Sequence, residues 1–286
     1  MASSFKSKNG EIKAGSPVTK ILIKNNKSYG IVLENGDEIY ADKIVSNLDV
    51  KRTFLKVVEE KELPNDFYKA VKNFKIRGSS GKLNIALDDL PIWKSIPEGD
   101  PAGTGDLHIT QNIEEMEGAY DDWKDGKWSQ FPYVDMCIPS INDPTMAPQG
   151  KHYMSVFIQY VPYNLADGGW TEEKRLEFGK HVMGRIGNYS TNFNDIINHA
   201  EIRTPKELEA EVGLTEGNIF QGELTMDQLM FNRPVPGYAQ YKTPIKNLYM
   251  CGSSTHPGGG VMGAPGANAA REILKDLNKK ISTHYI

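Results

Sequence analysis

The feature that most restricts what this chain can fold into lies near its C-terminus. KNLYMCG (246–252) is a short apolar run that stops at Gly252. HPGGGVMGAPGANAA (256–270) then crowds Pro257, Gly258, Gly259, Gly260, Gly263, Pro265 and Gly266 ahead of a helical segment. The order predicts a buried strand, a glycine loop and a helix from Ala267 to Leu277. Such a construction presents free backbone N–H groups at the positive end of a helix dipole. Glycine lets a ligand approach the main chain closely, and small Ala267, Ala269 and Ala270 keep the helix near its neighbours. Two readings follow: a main-chain cofactor contact, or a tight strand-to-helix connection packed on itself.

The other end is strand-like. VTKILIK (18–24) and SYGIVLE (28–34) are β-branched and separated by Asn25-Asn26-Lys27, and Asn35-Gly36 turns the chain into DEIYADKIVSN. Three short strands with two tight turns predict an antiparallel meander, with KIVSN (43–47) a fourth, more buried strand. Residues 50–76 carry apolar side chains at spacings of three and four, with Pro64 suited to a first helical turn. KLNIALD, LHIT, YVDMCIP and HYMSVFIQYVP read as strands between Gly-, Pro- and Asp-rich stretches, and 111–130 as an acidic helix followed by a loop. Thr171 N-caps a helix whose expected buried face is Leu176, Val182, Met183, Ile186 and Tyr189. Thr204-Pro205-Lys206-Glu207 is a capping box that opens a short helix ending near Gly213. The two ends bracket a middle of different character, so one domain is interrupted by another.

Composition narrows the function classes. The chain has 286 residues, 39% hydrophobic and 24% charged, with a net charge of −4, as expected of a soluble globular protein. It lacks the basic runs of a nucleic-acid binder. Cys137 and Cys251 form no CxxC pair and read as two buried thiols in a reducing compartment. No apolar run reaches the length of a membrane span and the N-terminus has no secretory h-region, so a cytoplasmic protein is expected. No histidine pair has metal-ligand spacing. His256, beside the glycines, is expected to fix the loop by a hydrogen bond. Ser253-Ser254-Thr255 lacks a GxSxG frame and reads as loop-capping hydroxyls. Trp93, Trp123, Trp128 and Trp170 are expected in the core.

The run from Gly213 to Leu274, with IFQGE, NRPVPGY, LYMCGSSTHPGGGVMG and ANAA, resembles the C-terminus of phytoene-desaturase-like FAD oxidoreductases. The stretch GSPVTKILIKNNKSYGIVLENGDEIYADKIVSNLD resembles that family's meander and following strand. The resemblance implies a mixed α/β fold. Residues 1–51 and 245–286 would be the remnant of an FAD/NAD(P)-binding Rossmann-like domain with its β-meander. Residues 52–244 would form an inserted, mixed-sheet substrate domain with helices. It implies FAD as cofactor, contacted at Val18, Gly252, Gly259, Gly260, Val261, Met262, Gly263 and Asn268, and assigns no catalytic residue. Gln221 stands where relatives are expected to carry histidine. The implied reaction is hydride transfer from an apolar small molecule to the flavin.

The glycine cluster at 258–263 has no second strand and acidic partner after it, so the family's N-terminal dinucleotide-binding turn is not read in this sequence. The expected partner is therefore an N-terminal FAD-binding half on a separate chain, or further copies of this chain covering an exposed sheet edge. The alternative is a non-catalytic binding or assembly protein that retains the substrate domain.

Overall fold

A computed structural model describes residues 1–97, 99–260 and 262–277. The chain divides into two compact units, one of residues 1–75 and 220–286, the other of 76–219. The boundaries drawn at 51 and 244 both fall within the first unit's residues.

In the first unit, β1 (Val18–Lys24), β2 (Lys27–Leu33) and β3 (Glu38–Tyr40) form the expected antiparallel meander. Asn25 and Asn26 both take positive φ, +52° and +57°, and make a two-residue hairpin turn that pairs Lys24 with Lys27. Asparagine tolerates this conformation better than any other residue except glycine, and it matches the twist of the flanking strands. β4 (Ile44–Ser46) follows, with Ile44 and Ser46 buried. Asp49 accepts a bond from the Arg52 amide and starts a short irregular helical stretch. Helix α1 (Asn65–Asn73) buries Phe67 and Val71. Pro64 sits one position earlier than expected, at the N-cap, where its carbonyl accepts from the Tyr68 amide at 2.9 Å. Phe54 packs edge-on against Phe67 at 4.8 Å, and Tyr238 against Phe67 at 4.9 Å.

The second unit is built on one five-stranded sheet. Its strands are β5 (Ser80–Leu87), β6 (Leu107–Ile109), β7 (Tyr133–Cys137), β8 (His152–Gln159) and β9 (Ile197–Arg203), in the order β6-β7-β8-β5-β9. Every neighbouring pair is antiparallel, so the expected mixed sheet is antiparallel throughout. Alternation fixes its faces. Leu83, Ile85 and Leu87 of β5, Val134 and Met136 of β7, and Met154, Val156 and Ile158 of β8 all point into the core. Helix α2 (Ile113–Lys124) is N-capped by Asn112. Helix α3 (Glu172–Gly187) is N-capped by Thr171 and covers the core face with Phe178, Val182 and Ile186. A Cβ on Gly179 would lie 3.2 Å from Ile202 Cγ2, which is how closely this helix approaches β9.

Leu176 does not belong to the buried face: it is 47% exposed. At 100° per residue it lies on the opposite side of the helix from Phe178. β9 carried no sequence signal, because as an edge strand it fully buries only Ile202. Trp128 and Trp170 stack at 5.4 Å and, with Trp93, pack half-buried against the core. Trp123 instead donates its indole N–H to the Gly78 carbonyl at 3.0 Å. Cys137 and Cys251 are half-buried rather than buried. Helix α4 (Pro205–Val212) carries the predicted capping box at Thr204 and Glu207 and ends at Gly213 with φ +78°.

The chain then returns to the first unit. β10 (Leu248–Met250) is fully buried and pairs in parallel with β4, Leu248 opposite Ile44 and Met250 opposite Ser46. This pair joins the two ends of the chain in one sheet. Helix α5 (Ala264–Asp276) begins three residues before the predicted start. Pro265 and Gly266 lie in its first turn, where a missing N–H and a flexible backbone cost little.

Candidate functional site

The loop between β10 and α5 is organised by the chain itself before any ligand is considered. Ser254 and Thr255 are fully buried. Ser254 Oγ donates to the Gln221 carbonyl at 2.7 Å and accepts from the Val50 amide at 3.0 Å. Thr255 Oγ1 donates to the Gly252 carbonyl at 2.8 Å. Both hydroxyls therefore cap loops, as read from the sequence. Gln221, in place of the expected histidine, accepts from the Ser254 amide through Oε1 at 3.3 Å.

Arg233 is the residue that sequence reasoning missed. Its side chain is completely buried, and its guanidinium donates to five main-chain carbonyls. Nε reaches Ser253 at 2.9 Å, Nη1 reaches Glu223 at 3.3 Å and Gln228 at 3.4 Å, and Nη2 reaches Phe220 at 2.7 Å and Gly222 at 3.3 Å. Burial pulls its pKa down to about 10, still well above neutrality, so the cation persists. A rigid fork with five donors is what lets one side chain join segment 220–228 to the loop after β10. Nothing in the sequence around NRPVPG announces this role, because the partners are carbonyls and carbonyls carry no residue identity.

The residues singled out from the sequence separate into two sets. Gly252 is buried, and a Cβ there would lie 2.7 Å from the Asn47 carbonyl oxygen and 2.9 Å from Gln221 Oε1. At Gly259 a Cβ would meet the Phe220 ring at 2.5 Å. These two glycines are required by the protein's own packing. Gly260 (φ +122°), Met262 and Gly263 (φ +66°) are exposed, Met262 to 57%. A Cβ on Gly263 or Gly266 would have no neighbour within 4 Å, and Gly263 N-caps α5 without a side-chain cap. Val261 lies outside the described residues.

Asn268 is half-buried and donates through Nδ2 to the Tyr241 hydroxyl at 2.8 Å, which in turn donates to the His256 carbonyl at 2.8 Å. The bond that fixes the loop at His256 therefore uses its main chain. Val18 stands apart in the chain, at the start of β1, paired with Leu33. The arrangement offers accessible main chain at the N-terminus of a thirteen-residue helix, which suits an electron-rich or anionic group.

Electrostatics behind the loop are local. Tyr249 donates to Asp276 at 2.7 Å, and burial together with that carboxylate pushes the phenol up to about 12. Hydrogen bonds from Lys242 and Tyr249 hold Asp276 below the usual carboxylate range. Among the described residues no group of three or more His, Cys, Asp or Glu can hold a metal ion, and no helix is long and apolar enough to cross a membrane.

No family model matches the sequence. The chain is 38% identical over 285 residues to the pyridine nucleotide-disulfide oxidoreductase domain-containing protein 2 of Rattus norvegicus, covering 97% of this chain and 49% of the relative. It is 27% identical to the chloroplastic prolycopene isomerase of Daucus carota, covering 93% of this chain and 41% of that enzyme. It is 25% identical to the zeta-carotene-forming phytoene desaturase of Myxococcus xanthus, covering 86% and 44%. Among solved structures, an oxidoreductase from Methanosarcina mazei shares the fold with a TM-score of 0.54 at 17% identity, over 96% of this chain and 52% of that one. Cyclohexylamine oxidase from Brevibacterium oxydans does so with a TM-score of 0.51 at 12% identity, over 92% and 49%. The chain thus spans about half the length of the relatives it matches, and over that span its homologues include pyridine nucleotide-disulfide oxidoreductase domain-containing protein 2, prolycopene isomerase and phytoene desaturase.

Proposed function

We propose that this chain is the C-terminal portion of an FAD-dependent oxidoreductase that takes hydride from an apolar small molecule. The observation that carries the reading is the 38% identity to the rat oxidoreductase-domain protein across nearly the whole chain. The loop supports it: Gly260, Met262 and Gly263 expose main chain at the mouth of α5, and a Cβ at Gly263 or Gly266 would fill open space. These positions fit close approach by a flavin, and Gly252 and Gly259 would hold the loop in shape behind it. FAD, when bound, supplies the hydride acceptor. The chain's own contribution would be to place main-chain donors and to exclude water.

The dinucleotide-binding half would come from another segment or chain. β4 favours this, since it has β10 on one side and no second strand neighbour among the described residues. Ile44 and Ser46 bond toward β10, so Val45, 43% exposed, turns its main chain the other way. A two-stranded parallel sheet with an open edge is a poor end state, because parallel sheets are normally buried and flanked. We infer that a further strand pairs there.

The test is to purify the chain, denature it, and measure released flavin by visible absorbance and fluorescence, with and without prior incubation in excess FAD. Stoichiometric flavin supports a cofactor site on this chain. Absence of flavin even after incubation, with a monomer in sedimentation, would favour the non-catalytic binding reading instead.

A further inference from the structure

The sheet of the second unit has a second face. Alternation places Lys82, Asn84 and Ala86 of β5 opposite the core, together with Tyr153, Ser155 and Phe157 of β8 and Tyr133, Asp135 and Cys137 of β7. The registers line these up across the strands. Lys82 is opposite Phe157 on one side and Arg203 on the other, and Asn84 is opposite Ser155 and Glu201. Cys137 is opposite Ser155, and Asp135 is opposite Phe157 and His108. An antiparallel sheet commonly turns a polar face to water. This one differs from an ordinary solvated face in the placement of its cations.

Lys82 lies on a strand with neighbours on both sides, half-buried, with its ammonium bonded to the Ser155 hydroxyl. Among the described residues no carboxylate stands at ion-pair distance from it. Burial lowers its pKa, and the more distant Asp135 and the Cys137 thiol oppose that only in part. Directly across the β5–β9 ladder stands Arg203, a like charge. Like charges in directly opposed positions repel. Arg203 pairs with Glu201 at 3.2 Å and Glu211 at 3.3 Å, yet its Nε is buried without a hydrogen-bond partner. Of the other carboxylates, Asp106 hydrogen-bonds the Cys137 thiol and Asp135 faces His108 at 3.7 Å, and the His108 ring meets the Tyr133 hydroxyl at 2.7 Å. Asn84 accepts from Tyr153 at 2.7 Å. The face therefore holds one desolvated amine, unpaired with any acid, beside an orphaned guanidinium N–H, with the aromatic surfaces of Phe157 and Tyr153 next to it.

We propose that this face binds a small molecule with an apolar body and a carboxylate end. The carboxylate would lie on Lys82 and Ser155, and the body along Phe157 and Tyr153. An anion at Lys82 would pair a desolvated ammonium that has no carboxylate at ion-pair distance among the described residues, so the bond is charge-assisted. The inference does not depend on flavin binding, since every residue it uses lies in the second unit.

Titration of the full chain with decanoate, decanol as control, tests it by calorimetry in the absence of flavin. Decanoate is expected to bind more tightly than decanol. Lys82→Met should weaken decanoate by about tenfold or more while leaving decanol unchanged. Lys82→Arg should restore most of the difference. Binding should fall as pH rises through the lowered Lys82 pKa, because the neutral amine offers no charge to the anion. Equal affinity for the two ligands, no decanoate binding, or a Lys82→Met response shared by both would each overturn the proposal. Lys82→Met removes a desolvated charge and keeps an unbranched apolar stem of similar length, so it is expected to fold. A melting curve on the same sample separates loss of the site from loss of the fold.

Discussion

Gly252 and Gly259 belong to the same glycine-rich segment as Gly263 and Gly266, but the two pairs answer to different demands. The first pair is pressed against the chain itself, on the Asn47 carbonyl and the Phe220 ring. The second pair faces open space at the start of α5. One glycine signal in the sequence thus contains both readings drawn from it, a tight internal connection and an accessible main chain. Residue type alone does not separate them, because a missing Cβ serves close approach by protein and by ligand equally well.

The comparison breaks most visibly if its support is removed. Arg233→Met would remove the hydrogen bonds that the guanidinium now donates to five main-chain carbonyls. We expect a loss of about 3–5 kcal/mol in denaturant unfolding, since an orphaned buried network is costly. Arg233→Lys should recover little of it, because one ammonium cannot span the fork's geometry. A variant that unfolds at the parent's midpoint would mean that the loop shape does not depend on this residue.

The next test separates the two pairs directly. Gly252→Ala and Gly259→Ala should each cost about 1–3 kcal/mol through overpacking, with Gly252 the harder case because its nearest neighbour is main chain. Gly266→Ala, in the first turn of α5 with nothing within 4 Å, should be neutral or stabilising by about 0.5–1 kcal/mol. Equal destabilisation by all three would erase the distinction. If Gly266→Ala keeps the fold yet weakens FAD uptake, the open pair is sharpened into a ligand surface.

A smaller effect is expected far from the loop. Thr204→Ala removes the N-cap oxygen that accepts from the Lys206 amide and the hydroxyl that bonds Glu207, and should cost about 1 kcal/mol. It serves as the benchmark for a local, sequence-legible contact. The last effect is confined to alkaline pH and concerns Tyr249. Its pKa in the folded state is about 12 against an ordinary 10, so the folded chain keeps a proton that the unfolded chain releases. The stability this contributes is complete below pH 10 and is lost as pH rises toward 12. In Tyr249→Phe that part of the alkaline decline should vanish, as chemical unfolding compared on either side of pH 10 would read. Because Tyr249 shares Asp276 with Lys242, the decline should be partial in any case.

Local chemistry was legible wherever the deciding interaction lies within a few residues. The Asn25-Asn26 turn, the Thr204 capping box, the Thr171 cap and the Gly213 terminus were each written in a short motif, and each formed as read. The strands of the second unit were legible because alternate burial leaves a period of two. β9 failed that test, as an edge strand with one fully buried side chain, and Leu176 failed because apolar character does not say which side of a helix a core will take.

By itself, then, the sequence determined the meander, the capped helices, the strand–glycine–helix order and the family likeness, since these rest on nearest neighbours along the chain. Only the tertiary structure decided which glycines are filled by the protein, that Arg233 organises the loop, and that Lys82 stands beside Arg203 without an acid of its own. These depend on residues brought together from distant positions, through carbonyls and ladder registers that no single stretch of sequence encodes.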